Sequence, residues 1–140
     1  MPTLYTTEAL STGGGRDGHV RSTDQAIDFD MRPPKELGGS GEGLNPEQLF
    51  AAGFAACYHS ALHAVARQRK IKIDGSTVGS RVELINEPEG SIKLAVSLEV
   101  TIPSEPHDTA LELAEAADRL CPYSNATRGN IDIKVTVSDD

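Results

Sequence analysis

The stretch NPEQLFAAGFAACYHSALHAVARQR, residues 45–69, contains an uncharged segment of nineteen residues, 48–66. Asn45 can cap a helix, Pro46 suits the first helical position, and Glu47 complements the positive end of the helix. The pattern therefore predicts a helix that begins at Pro46 and ends near Arg69.

This helix is apolar on nearly all sides, which is typical of a helix in the middle of a large core. Its length approaches that of a membrane span. However, its polar residues and the absence of a flanking aromatic belt favour burial inside protein over a membrane. Because 140 residues can barely enclose such a helix, we predict an intimate homodimer. The alternative is a monomer whose own sheet cradles the helix.

The segments around the helix have the patterns of strands and of one more helix. Alternation and turn residues predict antiparallel strands at residues 3–10, 19–22, 27–31, 71–85 and 91–102. In the last of these, the alternate residues Leu94, Val96, Leu98, Val100 and Ile102 should face the core. A second helix is predicted over residues 106–120, with Leu113, Ala117 and Leu120 on its inner face, and a final strand over residues 131–137. The order predicts one α+β domain over residues 1–140.

Charge and the N-terminal sequence exclude several classes of partner. The net charge of −8 repels phosphate backbones, so we predict no nucleic acid partner. The N-terminus lacks a basic start followed by an apolar stretch, which predicts a cytoplasmic protein with no membrane anchor. In that compartment the two cysteines are expected to be reduced or to cycle between redox states.

Cys57 and Cys121 lie 64 residues apart, so they form neither a CxxC motif nor a zinc-finger spacing. Spacing alone favours a packing role for both, since free cysteine behaves as a small hydrophobe. His59 and His63 are four residues apart on the predicted helix but complete no metal signature. A metal-binding or small-molecule-binding module remains an alternative at this point.

A reactive cysteine would need a nearby positive charge, because a free thiol with a pKa of about 8.5 is mostly protonated at neutral pH. Cys57 is too far inside its helix for the helix dipole to act. Arg16 and Arg128, both beside glycines, are possible sources of charge, and the residues alone do not choose between them. Cys121 precedes a proline and starts a new helical turn, so local physics alone favours it as the nucleophile.

Four motifs resemble those of one family. They are GGRDG at residues 14–18, PKELGG at 34–39, NPEQLFAAGFAAC at 45–57 and CPYSNATRGNI at 121–131. Together they resemble the organic hydroperoxide resistance (Ohr) branch of the OsmC/Ohr superfamily. The CPYSNA segment favours Ohr over the OsmC branch.

The resemblance implies an OsmC/Ohr-like fold, with antiparallel sheets wrapped around a central buried helix in an intertwined homodimer with two active sites. It also implies a peroxidase without metal or cofactor that reduces organic hydroperoxides to alcohols. By this resemblance Cys57 is the peroxidatic cysteine and Cys121 the resolving one. Arg16 is the active-site arginine, and Glu47 pairs with it.

The resemblance further implies that a dithiol, dihydrolipoamide or a lipoyl-bearing protein, reduces the resulting disulfide. Phe50 and Phe54 are expected either to favour apolar hydroperoxides over hydrogen peroxide or simply to belong to the core. A thiol–disulfide exchange enzyme that uses the same two cysteines without peroxide is the alternative catalytic function.

Overall fold

Helix α1, Pro46–Gln68, is the longest helix of the computed structural model, which describes residues 1–139. The Gln48 N–H donates to Asn45 Oδ1 at 2.9 Å, and the Asn45 N–H donates to Gln48 Oε1 at 3.0 Å. These reciprocal bonds form a capping box that satisfies two N–H groups at the helix start. The predicted start at Pro46 and the cap at Asn45 are confirmed.

The chain divides into two units, of which the first spans residues 1–49 and the second begins at Phe50. The first unit carries an antiparallel sheet in the order β1-β2-β3, a 3₁₀ turn at Lys35–Leu37, and the start of α1. Its strands are β1 Ala9–Gly14, β2 Asp17–Ser22 and β3 Asp28–Met31.

The strand predicted over residues 3–10 is largely wrong, because β1 begins only at Ala9. Ala9 pairs with Ser22, which is the last residue of β2, and the Thr23 N–H donates to the Glu8 carbonyl at 3.0 Å where the pairing ends. Leu4 and Tyr5 are accordingly exposed. The apolar residues of this segment suggested a strand, but a strand needs a neighbour to satisfy its backbone groups.

The second unit contains the rest of α1, a three-stranded sheet in the order β4-β5-β6, and two helices. These elements are β4 Thr77–Asn86, β5 Ile92–Thr101, α2 His107–Leu120, α3 Pro122–Thr127 and β6 Ile133–Ser138. The predicted second helix and the predicted strand 91–102 are confirmed within one residue at each end. The strand predicted from residue 71 begins only at Thr77.

The two pairings in this sheet differ in direction. β4 pairs with β5 antiparallel, as predicted, but β6 pairs with β5 parallel. Helices α2 and α3 lie between β5 and β6 in the chain and form the crossover that a parallel pair requires. The antiparallel sheets that the resemblance implied are thus found in the first unit and in the β4–β5 pair, while the last strand is parallel.

A single hydrophobic cluster joins α1, β5 and α2 in the second unit. Val96, Leu98, Val100 and Ile102 are buried as the alternation in β5 predicted, while Leu94 is half-buried. Leu113 and Ala117 on α2 are also buried, but Leu120 is 45% exposed. The chain turns after Leu120, and the fully buried Cys121 occupies the inner position instead.

Helix α1 buries only one of its faces. The buried residues are Phe54, Tyr58, Ala61, Leu62, Val65 and Ala66. The exposed stripe comprises Gln48, Ala52, Ala56, Ser60, His63 and Arg67. Within residues 1–139, α1 is the one helix long and apolar enough to cross a membrane by length and composition. Core helices of water-soluble proteins also meet this criterion.

We predict that Leu113→Ala lowers the free energy of unfolding by about 2–5 kcal/mol, because it leaves a cavity in the core cluster. Leu111 on the same helix is 40% exposed, so Leu111→Ala serves as the matched control and should change stability by less than about 1 kcal/mol. Chemical denaturation of both variants measures the difference. Equal losses would contradict the assigned core.

A second prediction concerns His19, whose Nδ1 lies 2.8 Å from Asp30 Oδ1 and whose Nε2 contacts Asp28 Oδ1. Hydrogen bonds to Asp30 and then Asp28 raise the pKa of His19 above 6.5. The protonated form therefore stabilises the β2–β3 pair below the unfolded-state pKa, and this contribution is lost as pH rises through the folded-state pKa. An NMR titration should place the His19 pKa above 6.5. His19→Gln should remove this component of the pH-dependent stability, and a His19 pKa of 6.5 or lower would contradict the assignment.

Candidate active site

Arg16 lies in the two-residue loop that joins β1 to β2. Gly15 precedes it with a φ of 74°, a left-handed conformation that glycine adopts without strain. Gly18 is also required, because a Cβ at this position would lie 2.2 Å from the Thr12 carbonyl oxygen. The glycines of the GGRDG motif thus form a tight hairpin that presents Arg16 at its tip.

Arg16 binds Glu47 through both ends of its guanidinium fork. Nη1 donates to Glu47 Oε1 at 2.6 Å, and Nη2 donates to Oε2 at 3.1 Å. The Arg16 side chain is 44% exposed and that of Glu47 19% exposed. This hydrogen-bonded pairing raises the pKa of Arg16. A two-point contact fixes the plane of a guanidinium, which a single contact cannot do.

Glu47 belongs to the first turn of α1, where a carboxylate also interacts favourably with the helix dipole. It is separated from Arg16 by 31 residues, yet the first unit brings the two side chains together as the family motifs implied. The pair uses two of the five N–H donors of the arginine.

The second unit brings the two cysteines together. Their sulfur atoms are 3.6 Å apart although the residues are separated by 64 positions. Both are free thiols. Cys57 is partly buried in α1, and Cys121 is fully buried. The separation is a non-bonded contact, from which a disulfide of about 2.05 Å could form with a small movement.

Cys121 owes its position to the proline that follows it. Its backbone angles, φ −65° and ψ 123°, are extended rather than helical, as expected for a residue before proline. Its N–H still donates to the Ala117 carbonyl at 2.8 Å, and its own carbonyl accepts from the Asn125 N–H at 3.0 Å. Cys121 thus ends α2 and caps α3, and Pro122 is the first residue of α3, as the sequence predicted.

The surroundings of Cys57 within the second unit favour the neutral thiol. Burial raises the pKa of Cys57, a hydrogen bond from the Tyr123 backbone N–H lowers it, and the neighbouring Cys121 thiol raises it again. The net pKa is higher than that of a free cysteine. A positive charge near the sulfur would be needed to form a thiolate at neutral pH.

An aromatic cluster lies beside the two cysteines. The Tyr123 ring stacks on Phe50 at a centroid distance of 6.1 Å and meets the edge of Phe54 at 5.6 Å. Phe50 and Phe54 were candidates from the sequence, but Tyr123 was not. Its position in the CPYSNA motif, two residues after Cys121, was the available signal.

Arg128, the other candidate source of positive charge, has a structural arrangement of its own. Its Nη1 donates to Asn125 Oδ1 at 2.8 Å, and its Nη2 donates to the Asp118 carbonyl at 2.9 Å. The Asp118 carboxylate lies 3.4 Å from Nη2. Arg128 therefore links α3 back to the end of α2.

The two helical histidines make contacts of other kinds. The His59 and His63 rings lie 4.8 Å apart, and His59 Nε2 is 2.9 Å from Ser76 Oγ. Burial, followed by the nearby His63, lowers the pKa of His59. Among residues 1–139, no three His, Cys, Asp or Glu side chains converge to hold a metal ion.

Comparisons with known proteins identify the same family as the four sequence motifs. Residues 39–136 match the family model for OsmC-like proteins. The organic hydroperoxide resistance protein of Xanthomonas axonopodis pv. citri is 44% identical over 136 residues, which cover 96% of this chain and 95% of that protein.

Solved structures give the same result for the fold. The organic hydroperoxide resistance protein of Elizabethkingia anophelis, with thiocyanate bound, superposes with a TM-score of 0.94 at 47% identity, covering 100% of both chains. A structure of a protein described as a possible organic hydroperoxide resistance protein from Vibrio cholerae, with captopril in one of its active sites, has a TM-score of 0.92 at 41% identity. It covers 98% of this chain and 94% of that one. The chain therefore belongs to the OsmC-like family, within its group of organic hydroperoxide resistance proteins.

Proposed function

We propose that this chain is a thiol peroxidase that reduces organic hydroperoxides to alcohols through Cys57 and Cys121. The names of its relatives support a role in peroxide detoxification. The observation that carries the finer proposal is the 3.6 Å distance between the two sulfur atoms. Packing alone does not require two thiols to meet, whereas a peroxidase that resolves its sulfenic acid internally does.

In the first step the Cys57 thiolate attacks the terminal oxygen of the hydroperoxide. A sulfur–oxygen bond forms, the oxygen–oxygen bond breaks, and the alkoxide takes a proton and leaves as the alcohol. The peroxide gains two electrons from the sulfur, which becomes a sulfenic acid.

In the second step the Cys121 sulfur attacks the Cys57 sulfur. The disulfide forms, the sulfur–oxygen bond breaks, and hydroxide leaves as water with the proton from Cys121. An external dithiol of the dihydrolipoamide class, free or on a lipoyl-bearing protein, then reopens the disulfide by two exchange reactions and is itself oxidised to a disulfide.

Arg16 is proposed to stabilise the Cys57 thiolate and the charge that develops on the leaving alkoxide. Its fixed positive charge is the type of group that counteracts the burial that raises the Cys57 pKa. Glu47 is proposed to orient the guanidinium, and its two-point contact supports this role. The arginine retains three further N–H donors for such a task.

Apolar side chains beside the sulfurs support a preference for organic peroxides over hydrogen peroxide. Phe50, Phe54 and Tyr123 form one aromatic cluster, and Phe54 is completely buried. An alkyl or aryl hydroperoxide could bury its apolar part against such a surface, and hydrogen peroxide has no apolar part to bury.

We further propose that residues 1–140 act as one OsmC/Ohr-like domain in an intertwined cytoplasmic homodimer with two active sites. The family match runs across the boundary at Phe50, and so does α1. The exposed stripe of α1 has small residues at its centre, Ala52, Ala56 and Ser60, on which a second helix could pack closely. The description of the Vibrio cholerae structure refers to more than one active site.

The cysteines can be tested by peroxide consumption with reduced lipoamide, comparing cumene and tert-butyl hydroperoxide with hydrogen peroxide. Cys57→Ser should abolish turnover of the organic peroxides. Cys121→Ser should retain the first oxidation of Cys57 but fail to cycle, because no internal thiol traps the sulfenic acid. Full turnover without Cys57 would refute the proposal. Insulin reduction by the wild type without peroxide consumption would support a thiol–disulfide exchange enzyme instead.

The role of Arg16 predicts a change in pH dependence. The rate of Cys57 oxidation should rise with pH as the thiolate forms, and in Arg16→Ala this rise should move to higher pH. At neutral pH the variant should be slower by roughly 100-fold. Arg21→Ala, which removes an exposed charge from β2, is the matched control. Stopped-flow oxidation rates across pH measure both, and an unshifted Arg16→Ala profile would exclude this role.

A further inference from the structure

Gly53 stands in the middle of α1, where glycine is an unfavourable residue for a helix. Its backbone does not explain the choice, since its φ is not in the left-handed region. Space does explain it. A Cβ at this position would lie 3.1 Å from Tyr123 Oη, 3.4 Å from Cε2 and 3.5 Å from Cζ. The phenol of Tyr123 therefore packs directly on the α1 backbone.

This contact lies next to the contact between the sulfurs. Gly53 precedes Cys57 by four residues, which places both on the same face of α1. Tyr123 follows Cys121 by two residues. The segment around Cys121 thus meets α1 at two adjacent points, one through sulfur and the other through the tyrosine ring.

The ring has little freedom to move away from Gly53. Phe50 stacks along it, and Phe54 meets it edge to face. At the other end of the segment, Arg128 ties α3 to Asp118 of α2, and the Thr127 hydroxyl donates to the Tyr123 carbonyl at 2.8 Å. The start of α3 is held from both sides, so the Gly53 contact helps to determine how close Cys121 approaches α1.

We infer that Gly53 is a positioning residue for disulfide closure: the absence of a side chain lets Tyr123 pack against α1 and so holds Cys121 within reach of Cys57. This inference rests on the proposed peroxidase function. It assigns Gly53 mainly to the second chemical step, because Gly53 contacts the ring of Tyr123, which belongs to the segment of the resolving cysteine.

The geometry of closure shows why a small displacement matters. The sulfurs must approach by about 1.5 Å, from 3.6 Å to the bonded distance of about 2.05 Å. A methyl group at position 53 would require Tyr123 to move away from α1 by a few tenths of an ångström. Because Tyr123 and Cys121 belong to the same segment, that movement would carry the Cys121 sulfur away from the Cys57 sulfur. Errors of about 1 Å in reacting geometry slow reactions by roughly 100-fold, so we expect a loss of about tenfold here.

The test is Gly53→Ala in the full-length protein, treated with one equivalent of cumene hydroperoxide. Loss of the Cys57 thiol and trapping of the sulfenic acid by dimedone report the first step, and mass spectrometry of the Cys57–Cys121 disulfide reports the second. We expect disulfide closure about tenfold slower and more sulfenic acid trapped. The first step, to which Tyr123 contributes a backbone hydrogen bond at Cys57, should change by less than closure does. Alanine favours a helix more than glycine does. If helix propensity were the only effect of the substitution, Gly53→Ala would be at least as stable as the wild type and would close its disulfide at the wild-type rate.

Two further variants separate the contact from other effects. Gly79→Ala on β4 adds the same methyl group where nothing lies within 4 Å, and it should close as fast as the wild type. The double variant Gly53→Ala/Tyr123→Phe removes Oη, the atom nearest to the new methyl group. It should restore much of the closure rate lost in Gly53→Ala.

The outcomes distinguish the inference from the function on which it rests. If the wild type forms no Cys57–Cys121 disulfide with an organic hydroperoxide, the proposed function fails. If the wild type forms it and Gly53→Ala closes equally fast, the inference alone is overturned. Slow closure that Tyr123→Phe does not improve would also overturn it, because the defect would then not arise from the Gly53–Tyr123 contact.

Discussion

The buried hydroxyl of Tyr58 donates to the Ala114 carbonyl at 2.6 Å, and this bond joins the inner face of α1 to α2. Both residues belong to the core cluster, so packing and the hydrogen bond act at the same place. Tyr58 is next to Cys57 in the chain, and Ala114 lies two helical turns before Cys121. A tyrosine buried without a partner would be unfavourable. The requirement to satisfy it therefore keeps the two helices that carry the cysteines together.

Pro122, which follows Cys121, determines where the second sulfur lies between these two helices. A continuous helix would have carried the chain straight on from Leu120, but the extended backbone at Cys121 turns the sulfur inward and starts α3 in a new direction. Leu120 is left partly exposed, and Cys121 is buried against Cys57. The short helix is then held by Arg128 on one side and by the Tyr123 ring on the other. Core packing and placement of the thiol thus depend on the same turn.

The two arginines beside glycines have different uses. Arg128 contacts one carboxylate and one carbonyl of Asp118 within the helical region, which is a structural role. Arg16 stands at the tip of a hairpin and is held by a single residue, Glu47. An exposed ion pair of this kind adds little stability. The pair instead fixes the orientation of the Arg16 guanidinium, which the proposed stabilisation of the Cys57 thiolate requires.

The sequence by itself determined the local features: the cap and length of α1, the extent of α2, the inward face of β5, the break at Cys121, and the family to which the motifs point. Each depends on neighbouring residues through capping, periodicity or proline geometry. Tertiary structure decided that β6 runs parallel to β5, that β1 begins only at Ala9, and that Tyr123 packs on Gly53. It also decided the partners of each arginine and the distance between sulfurs 64 residues apart. These outcomes arise from contacts between distant segments, which no local pattern specifies.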